Sequence, residues 1–300
     1  MTVDRLILLD LNHNVVRRPF FNSVYRGPKV GINSTYKSIE EFDLVRRYNP
    51  NWIGEKIWIP AGSLNRASQL PHVPSSGCQI IYGPNIHVED VANKPYLDHK
   101  EVTFLVPCDW VVKATEKYLP QANIVVFPYG IEIPKLDVFD KAEEIVVYIK
   151  NERNQTVLEK EVQIIEDFAR SNGLIIKLFE YGQYRKSRFL DSLKTAKFAV
   201  WLGQTESQGI ALMEAWSYDV PTLVRRRDSW LDPDGEVFRA EAAPYLNSRR
   251  GKYTMSESLT ASDLENFVAQ LDEFDPRQSL IGYLDLTTTA QRFRSIFKES

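Results

Sequence analysis

From residue 145 onward the chain alternates between two hydrophobic patterns. A β-branched run, "EIVVYI", is followed by "TVLEKEVQIIEDFARSNG", whose apolar residues recur at helical spacing. Gly173 suits a helix end, and "LIIKLFEYG" reads as the next buried strand, closed by Gly182. A helix over "YRKSRFLDSLKTA", a strand over "KFAVWLG", a helix over "SQGIALMEAWSYD" and a short strand "PTLV" complete the series. Strands alternating with helices predict right-handed crossovers and a parallel sheet covered on both faces.

The first half carries five strand patterns, "DRLILLD", "KIWIPAG", "CQIIYGP", "VTFLVP" and "NIVVFPYG". Two helices are expected among them, "SIEEFDLVRRY" and "CDWVVKATEKYL". Several of these strands end in Pro or Gly, as chains do on leaving the carboxyl edge of a parallel sheet. The polar, proline-containing stretch "IEIPKLDVFDKAEE" is a natural boundary. The predicted architecture is α/β, with two Rossmann-like domains facing across a cleft. Residues 1–138 form an N-terminal Rossmann-like domain, 139–280 a C-terminal one, and 281–300 a C-terminal helix returning toward the first. Leu280, Leu284, Phe293 and Phe297 are expected to face inward.

Composition narrows the classes of function. The chain has 300 residues, 43% hydrophobic and 26% charged, which suits a globular protein. No apolar run approaches the roughly 18 residues that a membrane helix needs, and the N-terminus lacks a secretory-signal pattern, so a cytoplasmic location is expected. Two cysteines and four histidines, His13, His72, His87 and His99, offer no metal-ligand spacing. A net charge of -3 argues against a nucleic-acid-coating role. The basic clusters at 225–227 and 249–252 read as solvated loop charge.

The chemistry concentrates in "WLGQTESQGIALMEAW". Glu206 is expected in the loop leaving a strand, Gly209 in a helix start free of side chain, and Glu214 about one and a half turns further on. In an open parallel sheet, ligands gather at the carboxyl ends of strands, where helix N-termini present free N–H groups. A carboxylate can hold vicinal hydroxyls with both oxygens. Two of them at that edge suit a nucleotide-sugar.

Read in order, the segment is strand, polar loop, Glu, a glycine, an apolar run, Glu-Ala, then Asp-Val-Pro before a β run. It resembles the signature of retaining glycosyltransferases of the glycosyltransferase B fold, family 4 in particular. Ser207-Gln208 stands where that family has Gly-Phe, and Asp219 where it has Gly. The resemblance implies that Glu206 meets hydroxyls of the transferred sugar, that Gly209 and Ile210 offer backbone N–H groups, and that Glu214 grips the ribose. It places Lys150 and Arg153 of "YIKNERNQT" on the diphosphate, and Tyr181, Gly182 and Tyr184 at the base. "VTFLVPCDWVVKATEKYLPQANIVVFPYGIEI" is similar to the family's segment before the interdomain linker, and Gly130 of that segment joins the donor-binding set.

The function so implied is transfer of a sugar from a nucleotide-diphosphate donor to an unidentified acceptor, with retention, without a metal and without a cofactor. Fixed cations would take up the charge of the leaving phosphate. Arg17-Arg18 and nearby apolar residues are candidates for a glycan, a lipid-linked acceptor or peripheral membrane contact. The competing reading is a catalytically inactive nucleotide-sugar or glycan-binding scaffold of the same fold.

Overall fold

The computed structural model describes residues 6–9, 43–45, 56–59, 79–84, 91, 97–135, 141, 143–150 and 154–299. Two parallel sheets dominate it. The first contains β1 (Leu6–Leu9), β2 (Asp43–Val45), β3 (Lys56–Ile59), β4 (Gln79–Tyr82), β5 (Val102–Val106) and β6 (Asn123–Val126), in the order β2-β1-β3-β4-β5-β6. All five of its pairings are parallel. Helix α1 (Asp109–Glu116) connects β5 to β6, with Trp110, Val111 and Ala114 turned into the core.

The second sheet contains β7 (Glu144–Lys150), β8 (Ile175–Glu180), β9 (Ala196–Gly203), β10 (Thr222–Val224) and β13 (Gly251–Tyr253), ordered β13-β10-β9-β7-β8. Between them lie α2 (Gln155–Ser171), α3 (Lys186–Thr195) and α4 (Ile210–Ser217). An antiparallel hairpin of β11 (Ser229–Leu231) and β12 (Val237–Arg239) interrupts the path from β10 to β13. Helices α5 (Ala261–Val268), α6 (Pro276–Leu280) and α7 (Leu286–Glu299) follow.

Strand alternation separates two packed layers here. Val146, Tyr148, Ala199 and Trp201 point to one face and meet Phe189 and Leu193 of α3 with Leu212, Met213 and Trp216 of α4. Val147, Ile149, Phe198, Val200 and Leu202 point to the other and meet Ile165 and Ala169 of α2. Helix α2 starts where the Asn154 side chain accepts from the Val157 N–H at 3.2 Å, and Gly173 follows its end at φ 66°.

The last helix returns to the first sheet. Phe293 of α7 is fully buried, with its ring 4.4 Å from Trp58 and 5.4 Å from Phe127. Burying such a side chain contributes about 2–3 kcal/mol. The Ile131 N–H donates to the Leu284 carbonyl at 2.8 Å, so the strand exit after β6 is stitched to the turn before α7. Leu280 and Leu284 are buried as expected. The side chain of Phe297 and the expected boundary at 138/139 lie outside the described residues.

Two expectations are corrected. The helix expected over 38–48 contains a strand at Asp43–Val45, which pairs in parallel with β1. Its apolar residues satisfied a helical spacing, but the unpaired edge of β1 decides the outcome. The basic clusters are only partly solvated. Arg225 is fully buried, donating to Glu161 at 2.5 Å and to the Gly203 carbonyl at 3.2 Å. Arg250, also buried, bonds the Ser279 hydroxyl and carbonyl and the Tyr245 carbonyl. Buried charge is tolerated when it is paired or hydrogen-bonded, as the Glu161 carboxylate and the carbonyls around these two arginines provide.

Candidate functional site

The chain leaves β7 toward β8 on one side and returns to β9 on the other. The carboxyl ends of β7 and β9 therefore flank a topological switch point, where ligands of open α/β sheets bind. Lys150, the last residue of β7, is paired in register with Gly203, the last of β9. Three residues past β9, the Glu206 carboxylate accepts from the Lys150 Nζ at 2.8 Å. Glu206 is only 8% exposed. Burial raises its pKa, and the Lys150 charge acts in the opposite direction.

The main chain of Glu206 is held from both sides. Its N–H donates to the Glu241 carbonyl, and its carbonyl accepts from the Trp110 indole of α1, each at 2.9 Å. Two residues on, the buried Gln208 crosses between the sheets. Its Oε1 accepts from the Tyr129 N–H at 3.0 Å and from the Tyr245 hydroxyl at 3.3 Å. Gln208 thus ties the loop after β9 to the exit of β6 and to Tyr245.

Gly209 stands before α4 at φ 63° and ψ 48°, in the left-handed region. The sequence expectation of a bare helix start holds for a further reason: a Cβ would be strained there and would lie 3.2 Å from Leu212. No side chain caps α4 through Gly209. The first N–H groups of any helix, Ile210 onward here, have no partner within the helix itself.

Glu214 lies on α4 and is fully buried, ion-paired with Lys186 at the start of α3. Between the two glutamates lies Tyr148 of β7, stacked on Trp201 of β9 with ring centroids 4.3 Å apart. Burial raises the Tyr148 pKa first. The hydrogen bond from Tyr184, at 3.4 Å, adds to this, as do the charges of Glu206 and Glu214. The charges of both carboxylates thus act on one buried phenol of β7.

Tyr181 is 54% exposed, and the Lys150 ammonium lies 4.8 Å from its ring centroid. Gly182 follows at φ 81° with open space where a side chain would be. Tyr184 is packed inward against Tyr148, Phe179 and Phe189. Arg153 lies outside the described residues. Gly130 follows Tyr129, whose N–H donates to Gln208. A Cβ at Gly130 would lie 2.8 Å from the Thr289 Oγ1 and 3.2 Å from the Leu286 Cα, so its bareness serves the seating of α7.

Sequence reasoning missed Lys186, Tyr148, Gln208 and Trp110. Each belongs to a run that reads fully as helix, strand or loop, and its partners lie 28 or more residues away.

No family model matches the sequence, and no curated protein matches it. Among solved structures, the chain is similar to S. aureus TarM at 12% identity and a TM-score of 0.52, covering 80% of this chain and 55% of that one. It is similar to sucrose-phosphate synthase from Thermosynechococcus elongatus at 13% identity and a TM-score of 0.52, covering 82% and 74%. It also resembles AviGT4, a glycosyltransferase involved in avilamycin A biosynthesis, at 10% identity and a TM-score of 0.51, over 99% of this chain and 98% of that one. The chain thus spans about half the length of TarM. What it shares with these proteins is the glycosyltransferase B fold.

Proposed function

We propose that the chain is a glycosyltransferase that takes a sugar from a nucleotide-diphosphate donor at the end of β7. One observation carries this reading: the Lys150–Glu206 pair, 2.8 Å long and largely buried, stands at the switch point of a parallel sheet. An ammonium there is a point charge for a diphosphate, and the carboxylate beside it can accept from sugar hydroxyls.

In this reading Lys150 neutralises the charge that develops on the leaving phosphate, a role shared with Arg153. Glu206 turns from Lys150 to the hydroxyls of the transferred sugar. The N–H groups of Gly209 and Ile210 receive a sugar oxygen or a phosphate, and Glu214 holds the ribose as Lys186 yields. Tyr181 offers an exposed ring to the base. Attack and departure on one face of the sugar would retain its configuration and need no protein base. The TarM structure is a complex with UDP, which supports a nucleotide-linked donor.

Thermal-shift and calorimetric screening with UDP, GDP, ADP and their sugars tests the reading. Stabilisation by one nucleotide is expected. No shift with any of them overturns it. The second reading, a scaffold that binds without turnover, rests on both glutamates being closed on lysines. It gains if a nucleotide-sugar binds and is neither hydrolysed nor transferred.

A further inference from the structure

A cavity of about 250 Å³, two of whose lining residues (Trp110 and Glu241) bond the Glu206 main chain, opens between the carboxyl ends of β5 and β6, the loop after β12 and the turn before α7. It is smaller than the roughly 300 Å³ at which pockets for drug-sized ligands begin, which suits a single ring. Its floor is aromatic. Trp110 and Tyr245 are both buried, and the polar atoms of both are already engaged. The indole donates to Glu206, and the Tyr245 hydroxyl is bonded to the Pro107 carbonyl and Gln208. These side chains therefore present apolar ring surface to the cavity.

Its rim is charged. Asp109, Glu241 and Arg292 all line it, an excess of one negative charge among the lining residues. The guanidinium of Arg292 is drawn toward Tyr283, 5.7 Å from its ring centroid and 3.5 Å from its carbonyl. Asp109 and Glu241 line the same cavity; burial raises the Glu241 pKa, the Arg239 charge opposes this, and the Asp109 charge adds to it. A phosphate or a polyanion would meet like charge here, whereas an ammonium would meet two carboxylates and two ring faces. The backbone bond from Glu206 to Glu241 places this rim next to the donor pair.

We infer that this cavity is the acceptor subsite and that it takes an amine-bearing sugar, its ring on Trp110 and Tyr245 and its ammonium between Asp109 and Glu241. This rests on the reading of the chain as a glycosyltransferase. Lipid-linked pyrophosphates and sugar phosphates are disfavoured by the same charges.

The test is calorimetric titration of the full chain with methyl glucosaminide, methyl glucoside, glucose 6-phosphate and Nα-acetyl-lysine amide. The expected order is glucosaminide first, glucoside about tenfold weaker, and glucose 6-phosphate weakest. In D109N and E241Q the glucosaminide should fall to the affinity of the glucoside, while the glucoside changes less than threefold. Both substitutions are at the rim, and melting temperatures verify that each variant is folded. Tighter binding of the phosphate, equal binding of the lysine derivative, no binding of any sugar, or variants that keep the amine preference each overturn the inference. A parallel UDP, GDP and ADP screen separates the two failures. Nucleotide binding without amine preference sinks the acceptor assignment alone, and amine-sugar binding without any nucleotide sinks the transferase reading instead.

Discussion

The Lys150 ammonium lies 2.8 Å from the Glu206 carboxylate, one at the last position of β7 and the other just past β9. Gly203, in register with Lys150, separates them along the sheet edge. The two form a largely buried ion pair, and the stability of the fold should depend on pH through it in a defined direction.

Burial lifts the Glu206 carboxyl above its ordinary value of 4.5 even with Lys150 beside it. A carboxyl whose pKa is higher folded than unfolded gives stability that is fully present below the unfolded value and is lost as pH rises through the folded value. Glu206→Gln cannot ionise, so at pH 7 it should be more stable than wild type, with a higher Tm. The gain should shrink as pH falls toward 4, as thermal melts across that range will show. Loss of donor binding in the same variant would mark Glu206 as a residue kept for function at the expense of stability.

Glu214→Ala should weaken nucleotide affinity by about 1–3 kcal/mol through lost charge-assisted hydrogen bonds. Calorimetry reads this directly. An unchanged affinity would leave Glu214 as no more than the buried partner of Lys186.

Gly209→Ala places a Cβ at φ 63° and 3.2 Å from Leu212. A destabilisation of about 1–2 kcal/mol is expected from the left-handed backbone alone, visible as a lower urea midpoint. An unaltered midpoint would mean that the loop before α4 can take another path.

The predicted βα alternation from residue 145 reappears element by element, because continuous apolar runs and 3.6-residue periodicity report the local period directly. The position of Glu206 in the loop after a strand and of Glu214 on the following helix was legible too, because both follow from the local periods. Their lysines were not equally so. Lys150 ends a strand, but Lys186 is one of several basic residues in "QYRKSR", and only the folding of α3 beside α4 selects it. Arg225 and Arg250 look like loop charge because nothing local shows that Glu161 lies 64 residues away in α2, or that α6 supplies Ser279. The strand at 43–45 was misread for the same reason: three residues specify no period, and the edge of β1 does.

Arg225→Met removes one partner of a fully buried pair and leaves the Glu161 carboxylate without it. Such truncations cost about 3–5 kcal/mol. Chemical denaturation should show a loss of that size, whereas Arg226→Met, at a half-exposed neighbour, should change stability by less than about 1 kcal/mol. Equal effects would contradict a structural role for Arg225.

The most direct check is calorimetric titration of UDP, GDP and ADP into the wild-type chain and into Lys150→Met. One nucleotide should bind the wild type, with affinity at least about tenfold lower in the variant, the size expected for a charge-assisted contact to phosphate. Equal affinity in both proteins would remove the diphosphate from the end of β7 and the proposed function with it.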